Sequence, residues 1–108
     1  MKNILIVEDD EFFRGLISKE ITAEGFNVSM AVDGQEAIDK IKKEKPDLVL
    51  LDLLLPTLDG FEVIFAAKQD QNTLSIPIIA LSNLDQKENV DRALRLGAAD
   101  YLVKSQSN

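Results

Sequence analysis

The 108-residue chain is 45% hydrophobic, which provides one small domain with a single core. Its formal net charge of −7 argues against direct binding to nucleic acid or to an anionic membrane surface, because both need clustered Lys and Arg. The chain contains no cysteine and no histidine, which excludes disulfides, thiolate metal sites and histidine acid–base chemistry.

Short apolar runs alternate with segments of helical periodicity along the chain. The first run, Ile4-Leu5-Ile6-Val7, is too short for a signal peptide or a membrane span, so a soluble cytoplasmic protein is expected. Further strands are predicted at residues 26–30, from Leu48 towards Asp52, at 77–81 and at 101–103. Helices are predicted at residues 11–24 with Asp10 as N-cap, between Gly34 and Pro46, at 61–68, and from an Asp85/Glu88 capping box to Gly97.

This alternation of strands and helices is typical of βαβ units. Such units build a right-handed parallel sheet with helices on both faces. The sequence therefore predicts an α/β fold with a doubly wound five-stranded sheet and four helices, in a single domain covering residues 1–108. No internal repeat or low-complexity segment is present.

A single charged residue, Asp52, lies within the aliphatic stretch Leu48-Val49-Leu50-Leu51-Asp52-Leu53-Leu54-Leu55-Pro56. A two-sided apolar run of this kind indicates a strand buried on both faces, where an unpaired carboxylate is costly. Asp52 could simply cap the turn that follows the strand. Alternatively, it could lie at the carboxyl end of a central strand, where open α/β sheets place their functional sites.

The predicted sheet brings further polar residues to the same edge as Asp52, because parallel strands all end on one side. They are Glu8, Asp9 and Asp10 after the first strand, Ser82 after the fourth and Lys104 after the fifth. Carboxylates about 4 Å apart repel by roughly 4 kcal/mol at an effective dielectric of 20, so such a cluster needs a cation. Mg²⁺ is the first candidate, held directly by Asp9 and Asp52 and through water by Glu8.

Taken together, these motifs resemble the receiver domain of two-component response regulators, including the chemotaxis regulators. The matching residues follow the family order along the whole chain: Glu8-Asp9, Asp52 with Pro56 and Asp59-Gly60, Ser82, and the run from Gly97 to Lys104. Taken singly, each has an ordinary structural explanation, such as a helix N-terminus for Glu8 or a loop hydroxyl for Ser82. The coincidence of all of them on one edge favours the functional interpretation.

The resemblance implies a flavodoxin-like fold and a role in phosphorelay signal transduction. Asp52 would accept a phosphoryl group from a sensor histidine kinase or phosphotransfer protein, so the chain would be a phosphoacceptor and not a conventional enzyme. The family's site also implies roles for other residues: Mg²⁺ binding by Glu8, Asp9, Asp52 and the backbone carbonyl of Leu54, phosphoryl binding by Ser82 and Lys104, and a switch aromatic at Tyr101.

Several positions depart from the family pattern. Asn83 stands where a small residue is usual, and Leu54 and Leu84 stand where polar residues often tune hydrolysis. Since leucine offers no hydrogen bond to a hydrolytic water, slow self-dephosphorylation is expected. Ser105 replaces a common proline after Lys104.

The family's fifth helix has no counterpart in the sequence, since only Ser105-Gln106-Ser107-Asn108 follow Lys104. Its absence would leave apolar surface around Leu102, Phe13 and Ile17 open to water. Three outcomes would cover this surface: the native chain continues past Asn108, two copies pair over the exposed face, or elements exchange between copies. Among them we expect self-association, with a homodimer through that face as one form.

Three alternatives compete with the receiver interpretation. A phosphatase of the haloacid dehalogenase kind needs an acid two residues after its nucleophile, where Leu54 stands. A flavodoxin-like flavin-binding domain would place a phosphate against Glu8-Asp9-Asp10, which would repel it. A degenerate receiver that acts only as a protein-docking module is disfavoured by the complete set of acids, hydroxyl and lysine, although Asn83 keeps it open.

Overall fold

The computed structural model describes residues 1–84 and 86–104. The strands are β1 (Asn3–Val7), β2 (Asn27–Ala31), β3 (Leu48–Leu51), β4 (Ile78–Ser82) and β5 (Asp100–Val103). The helices are α1 (Glu11–Ala23), α2 (Gly34–Glu44), α3 (Gly60–Gln69) and α4 (Lys87–Leu96). None of the helices in these ranges is both long enough and apolar enough to cross a membrane.

All five strands form one parallel sheet in the order β2-β1-β3-β4-β5. This confirms the predicted α/β fold with a five-stranded sheet and four helices in the described residues. Strand β2 lies one residue later than predicted. Its pairing with β1 runs from Asn3 beside Asn27 to Val7 beside Ala31, so Phe26 lies in the connection just before the strand.

The strand order distributes the helices unequally between the two faces of the sheet. The chain moves one way along the sheet from β1 to β2, and the other way from β2 through β3 and β4 to β5. Right-handed crossovers therefore place α1 on one face and the other three helices on the opposite face. In agreement, α2 packs against α3 and α3 against α4.

The main hydrophobic core lies on the face of the sheet that α2, α3 and α4 cover. It contains alternate residues of the central strands, such as Leu5, Val49 and Ile78, together with Ile41 from α2 and Ile64 from α3. Alternation follows from the pleat, because successive strand residues point to opposite faces. The residues between them, such as Ile4 and Ile6, therefore face α1.

Helix α1 covers its face of the sheet only partly. No residue of α1 is buried; the predicted inward residues Phe13, Ile17 and Ile21 are half-buried, and Leu16 is 44% exposed. The edge strand β5 contributes Leu102, which is 50% exposed. This part of the described surface is the apolar face that the sequence led us to expect.

Helix N-termini are capped by aspartates that the sequence places just before them. The Asp10 carboxylate accepts hydrogen bonds from the backbone N–H groups of Phe12 and Phe13, as predicted. Asp33 and Asp59 cap α2 and α3 in the same way. Asp85, the predicted cap of α4, lies outside the described residues, and α4 begins after Gln86.

Candidate functional site

The polar residues predicted to converge do follow the carboxyl ends of the strands. Glu8 comes directly after β1, Asp52 after β3 and Lys104 after β5, and Ser82 is the last residue of β4. The backbone N–H of Asp52 donates to the carbonyl of Val7 at 3.0 Å, which continues the β1–β3 ladder to the edge. Neighbouring strands β1 and β3 therefore bring the first two acids together.

Three carboxylates form a cluster at this edge. One oxygen each from Glu8, Asp9 and Asp52 lies within 4.8 Å of the other two. Glu8 is 3% exposed and Asp52 is 7% exposed, whereas Asp9 faces solvent. Glu8 Oε2 accepts a hydrogen bond from the backbone N–H of Asp10 at 3.1 Å. Two of the three acids are thus held in a buried position by the strand ends.

The ammonium group of Lys104 compensates part of this negative charge. Its Nζ donates to Asp52 Oδ2 at 3.1 Å and to Glu8 Oε1. The Lys104 side chain is only 12% exposed, so both ion pairs are largely shielded from water. The predicted convergence of the first, third and fifth strand ends is therefore present in the structure.

Burial and charge shift the pKa values of this pair. Burial raises the pKa of Glu8 above its ordinary value, and the negative charge of Asp52 adds to the shift against the opposing effect of Lys104. Burial alone would lower the pKa of Lys104, but its hydrogen bond to Glu8 and the charge of Asp52 outweigh burial and raise it. Lys104 is therefore firmly protonated, whereas ionisation of Glu8 is disfavoured.

Ser82 and Tyr101 are linked through the loop after β4. Ser82 is fully buried, and its Oγ accepts a hydrogen bond from the backbone N–H of Leu84 at 3.3 Å. The Tyr101 hydroxyl donates to the backbone carbonyl of Leu84. Asn83, between them, is exposed. One short loop thus contacts both residues that the resemblance assigned to phosphoryl binding and switching.

Leu54 and Leu84, which stand where polar residues often tune hydrolysis in the family, differ in their surroundings. Leu54 is 58% exposed, and its backbone N–H donates to Asp52 Oδ1 at 3.3 Å. Leu84 is half-buried and packs against the hydrophobic core. Only Leu54 therefore presents an apolar side chain openly beside Asp52.

Two further residues, Phe13 and Arg14, contact the site and were not expected there from the motifs. The Phe13 ring lies 4.4 Å, centroid to Nζ, from Lys104. Arg14 Nη1 donates to the backbone carbonyl of Glu8 at 2.9 Å and to that of Asp9 at 3.4 Å. Side chains in the first turn of a helix point back towards its N-terminus. Because the sequence predicts a helix that starts after Asp10, this rule indicates that side chains of its first turn lie near Glu8 and Asp9.

Comparison with known proteins shows the family to which the chain belongs. The family described as the response regulator receiver domain matches residues 4–108. The chain belongs to this family, whose members act in two-component signalling.

Curated relatives include the alkaline phosphatase synthesis transcriptional regulatory protein PhoP of Bacillus subtilis, which is 41% identical over 103 residues. The response regulator PleD of Caulobacter vibrioides is 38% identical over 101 residues. These alignments cover 95% and 94% of this chain, but 42% and 22% of the relatives. The chain thus spans less than half the length of either protein.

Solved structures agree with this assignment. The BeF3-activated N-terminal receiver domain of Klebsiella pneumoniae RstA matches with a TM-score of 0.89 at 35% identity, covering 96% of this chain and 86% of that one. The receiver domain of the sensor histidine kinase PA1611 from Pseudomonas aeruginosa has magnesium coordinated in its active-site cleft. It matches with a TM-score of 0.88 at 30% identity, covering 95% of this chain and 84% of that one.

Proposed function

We propose that Asp52 accepts a phosphoryl group from a phosphohistidine of a sensor kinase or phosphotransfer protein. The observation that carries this proposal is the position of its buried carboxylate, which lies with the Glu8 and Asp9 carboxylates and accepts a hydrogen bond from Lys104. The ammonium group can bind a phosphoryl oxygen, and the neighbouring carboxylates can hold a cation that does the same.

We propose that the same cluster binds Mg²⁺. Mg²⁺ takes oxygen ligands and usually keeps several waters, so three carboxylates with oxygens within 4.8 Å of one another would suit it, partly through direct contact and partly through water. Asp9 and Asp52 would be direct ligands, with Glu8 through water and the Leu54 carbonyl as a further ligand. When bound, the ion supplies positive charge that lowers the repulsion among the carboxylates and the transferred group.

Asp52, Lys104 and Ser82 would have different roles in the transfer of the phosphoryl group. An Asp52 oxygen attacks phosphorus, an O–P bond forms, and the P–N bond of the donor breaks with its electron pair left on the histidine nitrogen. Lys104 is close enough to Asp52 to pair with the transferred oxygens. Ser82 would donate a hydrogen bond to another oxygen, which would pull its Oγ away from the Leu84 N–H.

Movement of Ser82 would carry the change from the phosphorylated site to Tyr101, the proposed switch residue. Its hydroxyl and the Tyr101 hydroxyl both bond to the backbone of Leu84, so a change at Ser82 alters the support of Tyr101. The altered face would then select a partner or favour self-association. A cytoplasmic location and the lack of direct nucleic-acid binding stay predictions, as does a non-enzymatic role.

Slow self-dephosphorylation is also proposed. Leu54 lies open beside Asp52 and cannot hold a water by hydrogen bonding. The half-buried Leu84 supports this less directly, because it packs against the core.

Intact mass after incubation with Mg²⁺ and acetyl phosphate tests the assignment. The unmodified chain should gain one phosphoryl mass that is labile to base, and Asp52→Asn should abolish the gain. Asp39→Asn, which changes an exposed acid on α2, is the matched control and should keep it. Persistence of the modification in Asp52→Asn would overturn the assignment. No gain by the unmodified chain, even with excess donor, would favour the alternative of a receiver that only docks partners.

A further inference from the structure

The ammonium group of Lys104 contacts an aromatic ring as well as two carboxylates. The ring belongs to Phe13 in the first turn of α1, and its centroid lies 4.4 Å from Nζ. A cation within about 6 Å of a ring centroid is attracted by the negative face of the ring. The contact is shielded, because Phe13 is half-buried and the Lys104 side chain is 12% exposed.

The backbone of Phe13 is held in place at the helix N-terminus. Its N–H donates to the Asp10 carboxylate at 3.3 Å, and the following residue, Arg14, binds the carbonyls of Glu8 and Asp9. These bonds tie the first turn of α1 to the loop that carries the acidic cluster. The ring therefore has a defined position relative to the acids, and not only relative to Lys104.

These contacts of the ammonium group with Phe13, Glu8 and Asp52 respond differently to phosphoryl transfer. Glu8 and Asp52 are two of the acids proposed to hold Mg²⁺, and Asp52 itself becomes an acyl phosphate, so both change their charge environment during the reaction. The Phe13 ring is uncharged and binds neither a hard cation nor a phosphoryl oxygen. Among the contacts just described, the ring is the one that can persist from the free chain to the phosphorylated one.

We propose that Phe13 is a positioning residue for phosphoryl transfer, which holds the Lys104 ammonium group beside Asp52 through its ring face. This inference rests on the proposed function and adds a residue to it. The contact keeps the ammonium group partly desolvated and close to Asp52 as its carboxylate partners change. Phe13 acts through Lys104 and does not touch the phosphoryl group.

Ordinary hydrophobic packing is the competing explanation for the position of the Phe13 ring. Phe13 also lines an apolar groove of about 300 Å³ with Leu16, Ile17 and Leu81. A change to Leu would alter both the packing and the cation contact, so it cannot distinguish them. Fluorination of the ring can, because it weakens the negative face of the ring stepwise while nearly preserving its shape.

The test uses the full chain with phenylalanine, monofluoro-, difluoro- and trifluorophenylalanine at position 13. The initial rate of phosphorylation by acetyl phosphate with saturating Mg²⁺ should fall stepwise, by about threefold across the series, or ~0.7 kcal/mol at ~1.4 kcal/mol per tenfold. Phe13→Trp should retain the rate, since Trp binds cations best. Circular dichroism checks that each protein is folded.

Two matched series isolate the contact. In a Lys104→Met background the same fluorination should leave the residual rate unchanged. Fluorination at Phe12, which is 79% exposed on the same helix, should also have no effect. The positioning role alone would be overturned if fluorination at Phe13 left the phosphorylation rate unchanged. It would also be overturned if fluorination lowered the rate equally in the Lys104→Met background. Failure of the unmodified chain to gain a phosphoryl group would overturn the proposed function as well.

Discussion

At the scale of one residue, Glu8 shows how burial and neighbouring charges act against each other in the site. It is 3% exposed, with Asp52 nearby and Lys104 as its counter-ion. Its pKa is nevertheless raised above the ordinary value of 4.5, because burial outweighs the lysine. A carboxylate in this situation binds its proton more tightly in the folded state than in the unfolded state.

The sign of this shift predicts a pH dependence of stability. The contribution of Glu8 is fully present below about pH 4.5 and is lost as the pH rises through the higher folded pKa. Without metal, the unmodified chain should therefore lose stability relative to Glu8→Gln as the pH rises above about 4.5. Urea unfolding in the presence of EDTA measures the difference between the two proteins.

Adding Mg²⁺ to the unmodified chain at pH 7 should restore stability, by about 2.7 kcal/mol at 100 times its Kd. Glu8→Gln, which lacks one of the charges, should gain less. Parallel pH curves for the two proteins without metal would contradict the role assigned to Glu8.

At the scale of elements, the segment after β3 is pressed against the start of α3. The N–H of Gly60 donates to the Leu53 carbonyl at 2.8 Å, and the Asp59 carboxylate caps the helix. A Cβ at Gly60 would meet the Asp52 carbonyl oxygen and the Leu53 Cα, both at 2.6 Å. The glycine is required by this close approach, which sets the backbone position of Asp52.

Gly60→Ala should therefore lower the free energy of unfolding by about 1–3 kcal/mol through overpacking, and should also slow phosphorylation of Asp52. Gly15→Ala is the matched control, because a Cβ there meets nothing within 4 Å. In the middle of an exposed helix it should stabilise by about 0.5–1 kcal/mol and leave phosphorylation unchanged. Urea unfolding and the mass assay measure both effects. Equal behaviour of the two variants would refute the close-approach argument.

At the scale of the whole molecule, the two faces of the sheet are unequally covered in the described residues. Phe12, Leu16 and Leu102 are 79%, 44% and 50% exposed on or beside the α1 face. Leu81 pairs in register with Leu102 and lines the groove against α1, which places both leucines on that face. Burying about 400 Å² of such surface is worth roughly 10 kcal/mol before the costs of association. A second copy of the chain can cover it symmetrically.

We expect micromolar chain to self-associate in sedimentation velocity, and more strongly as salt increases. The salt dependence follows from the net charge of −7 on each copy, whose repulsion is screened by ions. Leu102→Asp should give monomers. Leu74→Asp changes a leucine that is 52% exposed in the connection after α3, and should not affect association. A monomer at every salt concentration would contradict the expectation.

Much of the fold and the main acids of the site could be predicted from the sequence. Apolar runs such as Ile4 to Val7 and the helical spacing in α1 are local patterns, and their alternation is enough to predict a parallel sheet. A parallel sheet in turn places all strand ends on one edge. For that reason Glu8, Asp52 and Lys104 could be brought together before their contacts were known.

The tertiary structure alone decided which side chains meet and how well each face is covered. The orientation of the Phe13 ring towards Lys104 depends on how α1 packs, and the burial of Leu84 depends on contacts with residues distant in sequence. Periodicity marks a residue as apolar or as lying on one side of an element, but it does not specify its neighbour. The physical reason is that neighbours are set by strand order and helix packing, which join segments as far apart as Glu8 and Lys104.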